Sequence, residues 1–174
     1  MAARGGWSTW IGDRYAEFGP GYHGGITLDI AADSLNGFGL DATYHAMGES
    51  SEERVEFGGP VTLRNTPEIL EATLFFRHDL FVMRGGHAPY FKAGVGYEWM
   101  TSNVEAIRVG STHRAEQSSG HFGISMGMGI SLHTAAKTGL RVEGLIHLVE
   151  DGQALSPDAS FATVGLSWWF AIGR

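Results

Sequence analysis

The chain has 174 residues, enough for one domain with a complete core, and we expect residues 1–174 to form a single domain. Charged residues make up 18% of the chain, below the roughly 25% of an ordinary soluble domain. With a net charge of -7, the sequence shows no electrostatic footprint for nucleic acid, and the absence of cysteine excludes disulfides and thiolate metal sites.

Apolar residues recur with a period of two along most of the chain, which predicts strands rather than helices. In PYFKAGVGYEWM (89–100), the odd positions from Phe91 to Trp99 are apolar, and the even positions between them are small or charged. No apolar run reaches the length of a transmembrane helix, about 18 residues or more. Eight strands are expected, near 7–15, 22–33, 36–47, 67–81, 89–101, 119–134, 138–149 and 159–171.

The connections between these strands alternate between short and long. Those near 33–37, 82–88 and 133–139 are short, whereas 48–66 and 102–118 are the longest. A closed up-and-down meander with short turns at one end and long loops at the other produces this alternation, and outer-membrane barrels have the same asymmetry.

The two faces of the strands differ in size as well as polarity. One face carries large apolar residues such as Leu28, Val95 and Met128 and no charge, while the other is rich in glycine, serine and a few charges. The small polar face fits the narrow lumen of an eight-stranded barrel, which the apolar face would overfill. The pattern therefore predicts an all-β, eight-stranded antiparallel up-and-down transmembrane β-barrel, with a soluble lipocalin-like ligand-binding barrel as the alternative.

Aromatic residues near the strand ends are expected to form the girdles that lie at the two membrane interfaces. These residues are Trp7, Trp10, Tyr97, Trp99, Trp168, Trp169 and Phe170.

Five charged residues share the small polar face: Glu71, Lys92, Glu98, Arg141 and Glu143. Charges inside a narrow lumen are tolerated only when they are paired and hydrogen-bonded. We expect Lys92 and Arg141 to pair with carboxylates from the other three residues. The resulting lumenal ionic network would act as a structural plug or as the gate of a narrow pore.

The eight histidines show no spacing typical of a metal site. His45, His133 and His147 fall on the inward face of different strands, where hydrogen bonding inside the lumen is the expected role. We therefore expect neither a metal site nor a cofactor.

Three segments carry a resemblance to a known family: APYFKAGVGYEW (88–99), GISMGMGISLHTAAKTGLRVEG (123–144) and FATVGLSWWF (161–170). With these segments the chain resembles the small eight-stranded outer-membrane barrels of the OmpA-, OmpX- and opacity-protein-like group. The resemblance implies an integral protein of the bacterial outer membrane, in contact with lipid and lipopolysaccharide. It implies a structural or surface-displaying role, with any partner bound through loops 48–66 and 102–118. No signal peptide is visible at residues 1–10, which fits either a cytosolic protein or a mature chain from which the signal peptide was removed. The resemblance implies the mature chain.

One segment, VEGLIHLVEDGQALSPDASFATVGL, also resembles the last hairpin of outer-membrane lipid A deacylases. That family has a histidine followed two residues later by a serine. His147 matches the histidine, but Val149 occupies the serine position. Because acyl transfer of this kind needs the hydroxyl nucleophile, we expect no enzymatic activity, and a lipid A-modifying enzyme remains an alternative.

Overall fold

A computed structural model of the chain describes residues 1–11, 17–56, 59–83, 85–135, 137–150 and 155–172. Its strands are β1 (Ala2–Ile11), β2 (Gly21–Ala31), β3 (Asn36–Ala46), β4 (Ser50–Glu56), β5 (Gly59–Asp79), β6 (Ala88–Arg108), β7 (Ser111–Ala135), β8 (Thr138–Glu150) and β9 (Leu155–Phe170). Within these ranges no helix is long and apolar enough to cross a bilayer.

Eight of the strands close into a ring. The hydrogen-bonded order runs β3, β2, β1, β9, β8, β7, β6, β5, and pairing of β3 with β5 joins the two ends. All pairs are antiparallel, and β1 pairs along its length with β9. The ninth strand, β4, pairs with the start of β5 outside the ring. The expected eight-stranded antiparallel barrel is confirmed, and β4 is an addition to it.

The apolar face of the strands points out of the barrel. Ile30, Met128 and Val95 are 72%, 67% and 60% exposed, whereas Asp41 and Lys92 on the inward face are 3% and 4% exposed. A lipocalin-like carrier would line an internal cavity with its apolar face. The soluble alternative is therefore wrong, because this barrel turns that face outward and fills its interior with polar side chains.

Glycine on the inward face is required by close packing. A Cβ atom added to Gly127 would lie 2.0 Å from the carbonyl oxygen of Gly144, and one added to Gly39 would lie 2.5 Å from the ring of Phe75. Real Cβ atoms do not approach so closely. The lumen is thus packed to its limit at these positions, as expected for a barrel of eight strands.

The first strand begins earlier than expected. We predicted it near 7–15, but β1 spans Ala2–Ile11, and 12–15 lie outside the described residues. Gly5 and Gly6 interrupt the alternation that would have revealed its start. The prediction that Trp10 joins an interfacial girdle is also wrong. Its side chain points into the barrel and is 8% exposed.

The two segments predicted as long loops are mostly strand. Residues 50–56 form β4, β5 already begins at 59, β6 continues to 108 and β7 starts at 111. These segments pair in the order β4, β5, β6, β7 and extend beyond the ring. We call residues 50–56, 59–68, 100–108 and 111–122 the raised sheet, and its end of the barrel the upper end. Much of both its faces is polar, so its sequence lacks the apolar alternation that marks a strand.

Candidate functional site

The upper end of the lumen is closed by an apolar lid. The lid consists of Trp10, Phe18, Met47, Ile69, Val149 and Phe161, all of them buried. The ring centroid of Trp10 lies 6.4 Å from that of Phe18 and 6.0 Å from that of Phe161, in tilted and edge-on contacts. Among the described residues, these side chains form a packed apolar layer across the upper end of the lumen.

Below the lid lies a layer of histidines around one carboxylate. His45 Nε2 and His147 Nδ1 are 3.1 Å and 3.4 Å from the same oxygen of Glu71, Oε2. On the opposite side, Ser8 Oγ lies 3.0 Å from His45 Nδ1 and 3.2 Å from His23 Nδ1. All five side chains are almost fully buried. The layer is a continuous polar network that joins five strands, β1, β2, β3, β5 and β8, across the lumen.

Ser8, His45 and Glu71 form a hydroxyl–imidazole–carboxylate chain, the arrangement that activates serine nucleophiles in acyl-transfer enzymes. Ser8 is 1% exposed and His45 is 0% exposed, and Phe161 of the lid lies 4.9 Å from the His45 ring, centroid to centroid. A substrate carbonyl cannot reach Ser8 in this arrangement. The three side chains therefore connect β1, β3 and β5 across the lumen.

An ionic layer crosses the lumen further down. Arg4 Nη1 donates to Asp41 Oδ2 at 3.1 Å and to Glu143 Oε1 at 3.2 Å. Lys92 Nζ donates to the same Asp41 oxygen at 2.5 Å and lies 3.6 Å from Glu143 Oε2, to which Tyr90 also donates. Two cations and two carboxylates balance within the layer, so each buried charge lies beside an opposite charge.

A second balanced group lies nearest the short turns, at the lower end. Arg141 Nη2 is 2.9 Å from Asp29 Oδ2, and Arg77 contacts the same oxygen. Arg77 Nε is also 3.1 Å from Asp79 Oδ1. These side chains are partly buried, so the group screens the ionic layer from the lower opening.

The five charged residues that were predicted to form one lumenal network do not lie together in a single layer. Lys92 and Glu143 meet as expected, although the closer partner of Lys92 is Asp41. The predicted pairing of Arg141 with a glutamate is wrong, because Arg141 pairs with Asp29. Glu71 lies among the histidines.

Glu98 differs from the other four predicted residues. It is directly opposite Glu71 in the β5–β6 register and is 2% exposed. Within the described parts of the chain its Oε2 atom has no hydrogen-bond partner. Glu98 is therefore a buried lumenal carboxylate that takes no part in the ionic layer.

Sequence reasoning missed several members of the lumen. Asp29, Asp41 and Arg77 already lay on the inward face of predicted strands, and their alternation could have included them. Arg4 had no such signal, because the first strand was placed too late.

The set of histidines predicted to lie in the lumen also differs from the one that the structure shows. His45 and His147 are lumenal as expected, but His133 is exposed at the lower end, and His23 takes part in the layer instead. Among the residues that the structure describes, no group of three or more histidines and carboxylates has a geometry that could hold a metal ion.

No protein-family model matches the chain, and no curated protein matches it. Among solved structures, the chain is similar to Neisserial surface protein A, with 11% identity, a TM-score of 0.48 and coverage of 97% of this chain and 96% of the other. It is similar to Ail of Yersinia pestis, solved with a heparin analogue, with 9% identity, a TM-score of 0.49 and coverage of 97% and 95%. The outer membrane enzyme PagL gives 14% identity, a TM-score of 0.44 and coverage of 98% of both chains.

At these identities and TM-scores the likenesses transfer no residue role or activity to this chain. Its class follows from its own two faces. The ring is closed, so no strand edge is left unpaired toward lipid, its outward face is apolar, and its interior is polar and charge-balanced. These are the defining features of outer-membrane-type barrels. The chain is an eight-stranded antiparallel β-barrel with an apolar outer face, the architecture of the small outer-membrane barrels that its sequence resembles.

Proposed function

We propose that the mature chain, freed of a signal peptide, resides in the bacterial outer membrane as a closed barrel that displays its raised sheet at the cell surface. The observation that carries this proposal is the difference between the two halves of the molecule. The lumen is filled by the lid, the histidine layer and the ionic layer. The raised sheet lies free beyond the ring, and loops or strands held on a rigid scaffold are where binding residues concentrate.

A closed lumen favours a structural role for the ionic layer over a narrow pore. Ions would have to displace both the apolar lid and the balanced pairs of Asp41 and Glu143. We expect purified protein in planar lipid bilayers to give no steady conductance. Enzymatic activity is also not part of the proposal, because Val149 replaces the serine of the resembling deacylases and lies in the lid with 0% exposure.

The raised sheet offers two features that suit a protein partner. Strand β7 pairs with β8 from Gly123 onward, so within the described chain the other edge of residues 111–122 has unpaired backbone groups. Such an edge can accept an extended strand. At the tips, Val55 and Val109 are 89% and 95% exposed. A partner of the extracellular space or of a larger membrane assembly would bind this sheet.

Topology can be tested with single cysteines, since the chain has none of its own. Val109→Cys places a thiol at the tip of the β6–β7 ribbon, and Ser34→Cys places one in the β2–β3 turn at the lower end. A membrane-impermeant maleimide added to intact cells should label Val109→Cys and spare Ser34→Cys until the outer membrane is opened. Labelling of Ser34→Cys alone would invert the topology, and failure of both variants to fractionate with the outer membrane would overturn the location.

A further inference from the structure

The part of β7 that rises above the ring has one free edge. Strand β7 pairs with β8 only from Gly123 onward, and the end of β8 reaches up to His121, whose Nδ1 atom lies 2.9 Å from the carbonyl oxygen of Glu150. Among the residues that the structure describes, 111–119 therefore pair with β6 on one side and with no strand on the other. Every residue of this stretch is exposed.

The hairpin at the tip determines which residues turn their backbone groups to that edge. Val109 and Gly110 form the turn, and Arg108 faces Ser111 beside it. The pair that closes such a turn is hydrogen-bonded through its backbone, and bonding alternates along an antiparallel strand. The odd-numbered residues of 111–119 therefore bond to β6, and the even-numbered residues direct their N–H and C=O groups to the free edge.

The charges of this edge are self-complementary. Apart from His113, the titratable residues of 111–119 are Arg114 and Glu116, which lie on the same face of the strand on either side of Ala115. We consider the stretch laid antiparallel on that of a second copy, with Ala115 opposite Ala115. Arg114 then meets Glu116 of the second copy, and Glu116 meets Arg114. Both residues are even-numbered, so each of these pairs is a backbone-bonded pair of opposite charges, which attract across strands.

Neighbouring registers are less favourable. Moving the two-fold axis by one residue places Arg114 opposite Arg114 or Glu116 opposite Glu116, and like charges directly across two strands repel. With the axis at Ala115, Ser111 faces Ser119, so the whole free stretch takes part. The stretch contains no proline and no lysine, the residues that often prevent such pairing at the edge of a sheet.

Arg114 can accept a second carboxylate as partner. Its Nε atom lies 2.6 Å from Glu105 Oε1 on β6, but its side chain is 78% exposed, and a guanidinium has further N–H groups to donate. Glu116 is exposed on the same face. We infer that this edge binds the same edge of a second copy of the chain, in a two-fold symmetric antiparallel contact centred on Ala115.

Strand direction determines where the second copy lies. In every copy, β7 runs from the tip of the raised sheet toward the ring. Antiparallel pairing of two β7 strands therefore turns the second barrel upside down with respect to the first. Copies in one membrane share one orientation, so paired copies belong to two membranes that face each other. The inference rests on the surface display proposed above and names its partner, a copy of this chain on a neighbouring cell.

A single cysteine tests the register. Ala115→Cys places two thiols opposite each other on the axis, in a pair whose Cα atoms are about 4.5 Å apart, within the range of a disulfide. In neutral detergent, where no membrane fixes the orientation of the copies, mild oxidation should give a disulfide-linked dimer. Thr112→Cys, also exposed on β7, is the control. It should remain monomeric, because position 112 faces Ser118 of the second copy.

An exchange of charges tests the identity of the partner. Arg114→Glu and Glu116→Arg should each weaken self-association by about tenfold, because each places like charges opposite one another. A mixture of the two variants should associate as the unmodified protein does, because every carboxylate then meets an arginine. Sedimentation in density-matched detergent measures all three samples, and gels of unboiled samples confirm that each variant is folded.

Cells test the arrangement between membranes. Cells without long surface polysaccharide are used, because a raised strand of about 30 Å does not cross a thick sugar layer. Cells that display the unmodified chain should aggregate. Cells that display only Arg114→Glu or only Glu116→Arg should stay dispersed, and the two populations should aggregate when they are mixed.

Two results in detergent would overturn the inference: equal dimer yields for Ala115→Cys and Thr112→Cys, or a mixture of the charge variants that associates no better than either variant alone. Dimers in detergent without aggregation of cells would overturn the pairing between facing membranes. Labelling of Ser34→Cys alone on intact cells would instead overturn the proposed surface display and leave the detergent results standing, so the two failures are distinguishable.

Discussion

Asp41 accepts hydrogen bonds from three buried side chains in the middle of the barrel. Its Oδ2 atom receives Lys92 and Arg4, and Thr27 donates to Oδ1 at 2.6 Å. Asp41 is 3% exposed. Glu98, equally buried, has an oxygen that lacks a hydrogen-bond partner among the described residues. Two carboxylates at similar depth thus have opposite surroundings, and their removal should have opposite effects on stability.

Asp41→Asn should lower the free energy of unfolding by about 3–5 kcal/mol, because it leaves two buried cations with one carboxylate between them. The matched change Glu98→Gln should be neutral or stabilising, since it removes a buried charge without separating a pair. Urea-induced unfolding in lipid vesicles, followed by tryptophan fluorescence, measures both. Equal losses for the two variants would contradict the assignment of Asp41 as the centre of the ionic layer.

Alternation along a single strand was enough to place Lys92, Glu71 and Glu143 inside the barrel. It could not say which of them meet, because contacts across a lumen depend on the stagger of eight strands around the ring. For this reason the sequence alone could not show that Arg141 pairs with Asp29 rather than with a glutamate.

At the scale of single elements, the β2–β3 turn is held by its own side chains. Asp33 accepts hydrogen bonds from the Asn36 side chain at 2.7 Å and from the backbone N–H groups of Leu35 and Asn36 at 2.8 Å. The Asn36 side-chain bond and the two backbone bonds hold the pKa of Asp33 below its usual value. Because these bonds favour the ionised carboxyl, their contribution is present above the unfolded pKa, about 4, and is lost as pH falls through the lower folded pKa.

Asn36→Ala removes the largest of these interactions and should raise the pKa of Asp33 toward its usual value. Titration of the Asp33 carboxyl by NMR in micelles measures the change. Ser34→Ala in the same turn is the control and should leave the titration unchanged. An unshifted Asp33 in Asn36→Ala would mean that the backbone N–H groups alone set its pKa.

The raised sheet and the ring are built from the same strands, but each part is held together by its own set of residue pairs. Residues 103–116 pair with one another and with the start of β5, while the ring uses pairs such as Gly94 with Ser125. Replacing 103–116 by a two-residue Asn-Gly turn between Ser102 and Gln117, which pair directly, should therefore leave a folded barrel. Its migration on gels without boiling should still differ from that of the boiled chain. Loss of this difference would show that the ring needs the raised sheet to fold.

At the scale of the whole molecule, the outward face of the strands determines whether lipid or water surrounds the barrel. Val95 is 60% exposed in the middle of the apolar face of β6, and Asn103 lies on the same strand and the same face in the raised sheet. This face was predictable, because lipid contact imposes an apolar residue at every second position. The raised sheet was not, because a strand with two polar, water-exposed faces leaves no such alternation in the sequence.

Val95→Arg should reduce the free energy of folding into bilayers by about 2–4 kcal/mol, the effect of arginine on the lipid face near the midplane. Asn103→Arg, eight residues further along the same strand, should have little effect, since its side chain lies in water. Folding yields into vesicles at increasing urea concentration measure both. If Val95→Arg folds in plain buffer without lipid, the outward face does not contact a membrane.

Strands β5, β6 and β7 run without interruption from the lower end of the ring to the raised sheet, over 21, 21 and 25 residues. Their hydrogen bonds lie perpendicular to the strands. A load applied at the tip of the β6–β7 ribbon and directed along the strands would therefore act in shear on many hydrogen bonds at once, instead of opening them one after another. The raised sheet and the apolar belt are made from the same continuous strands, so a force on the one is carried directly to the other.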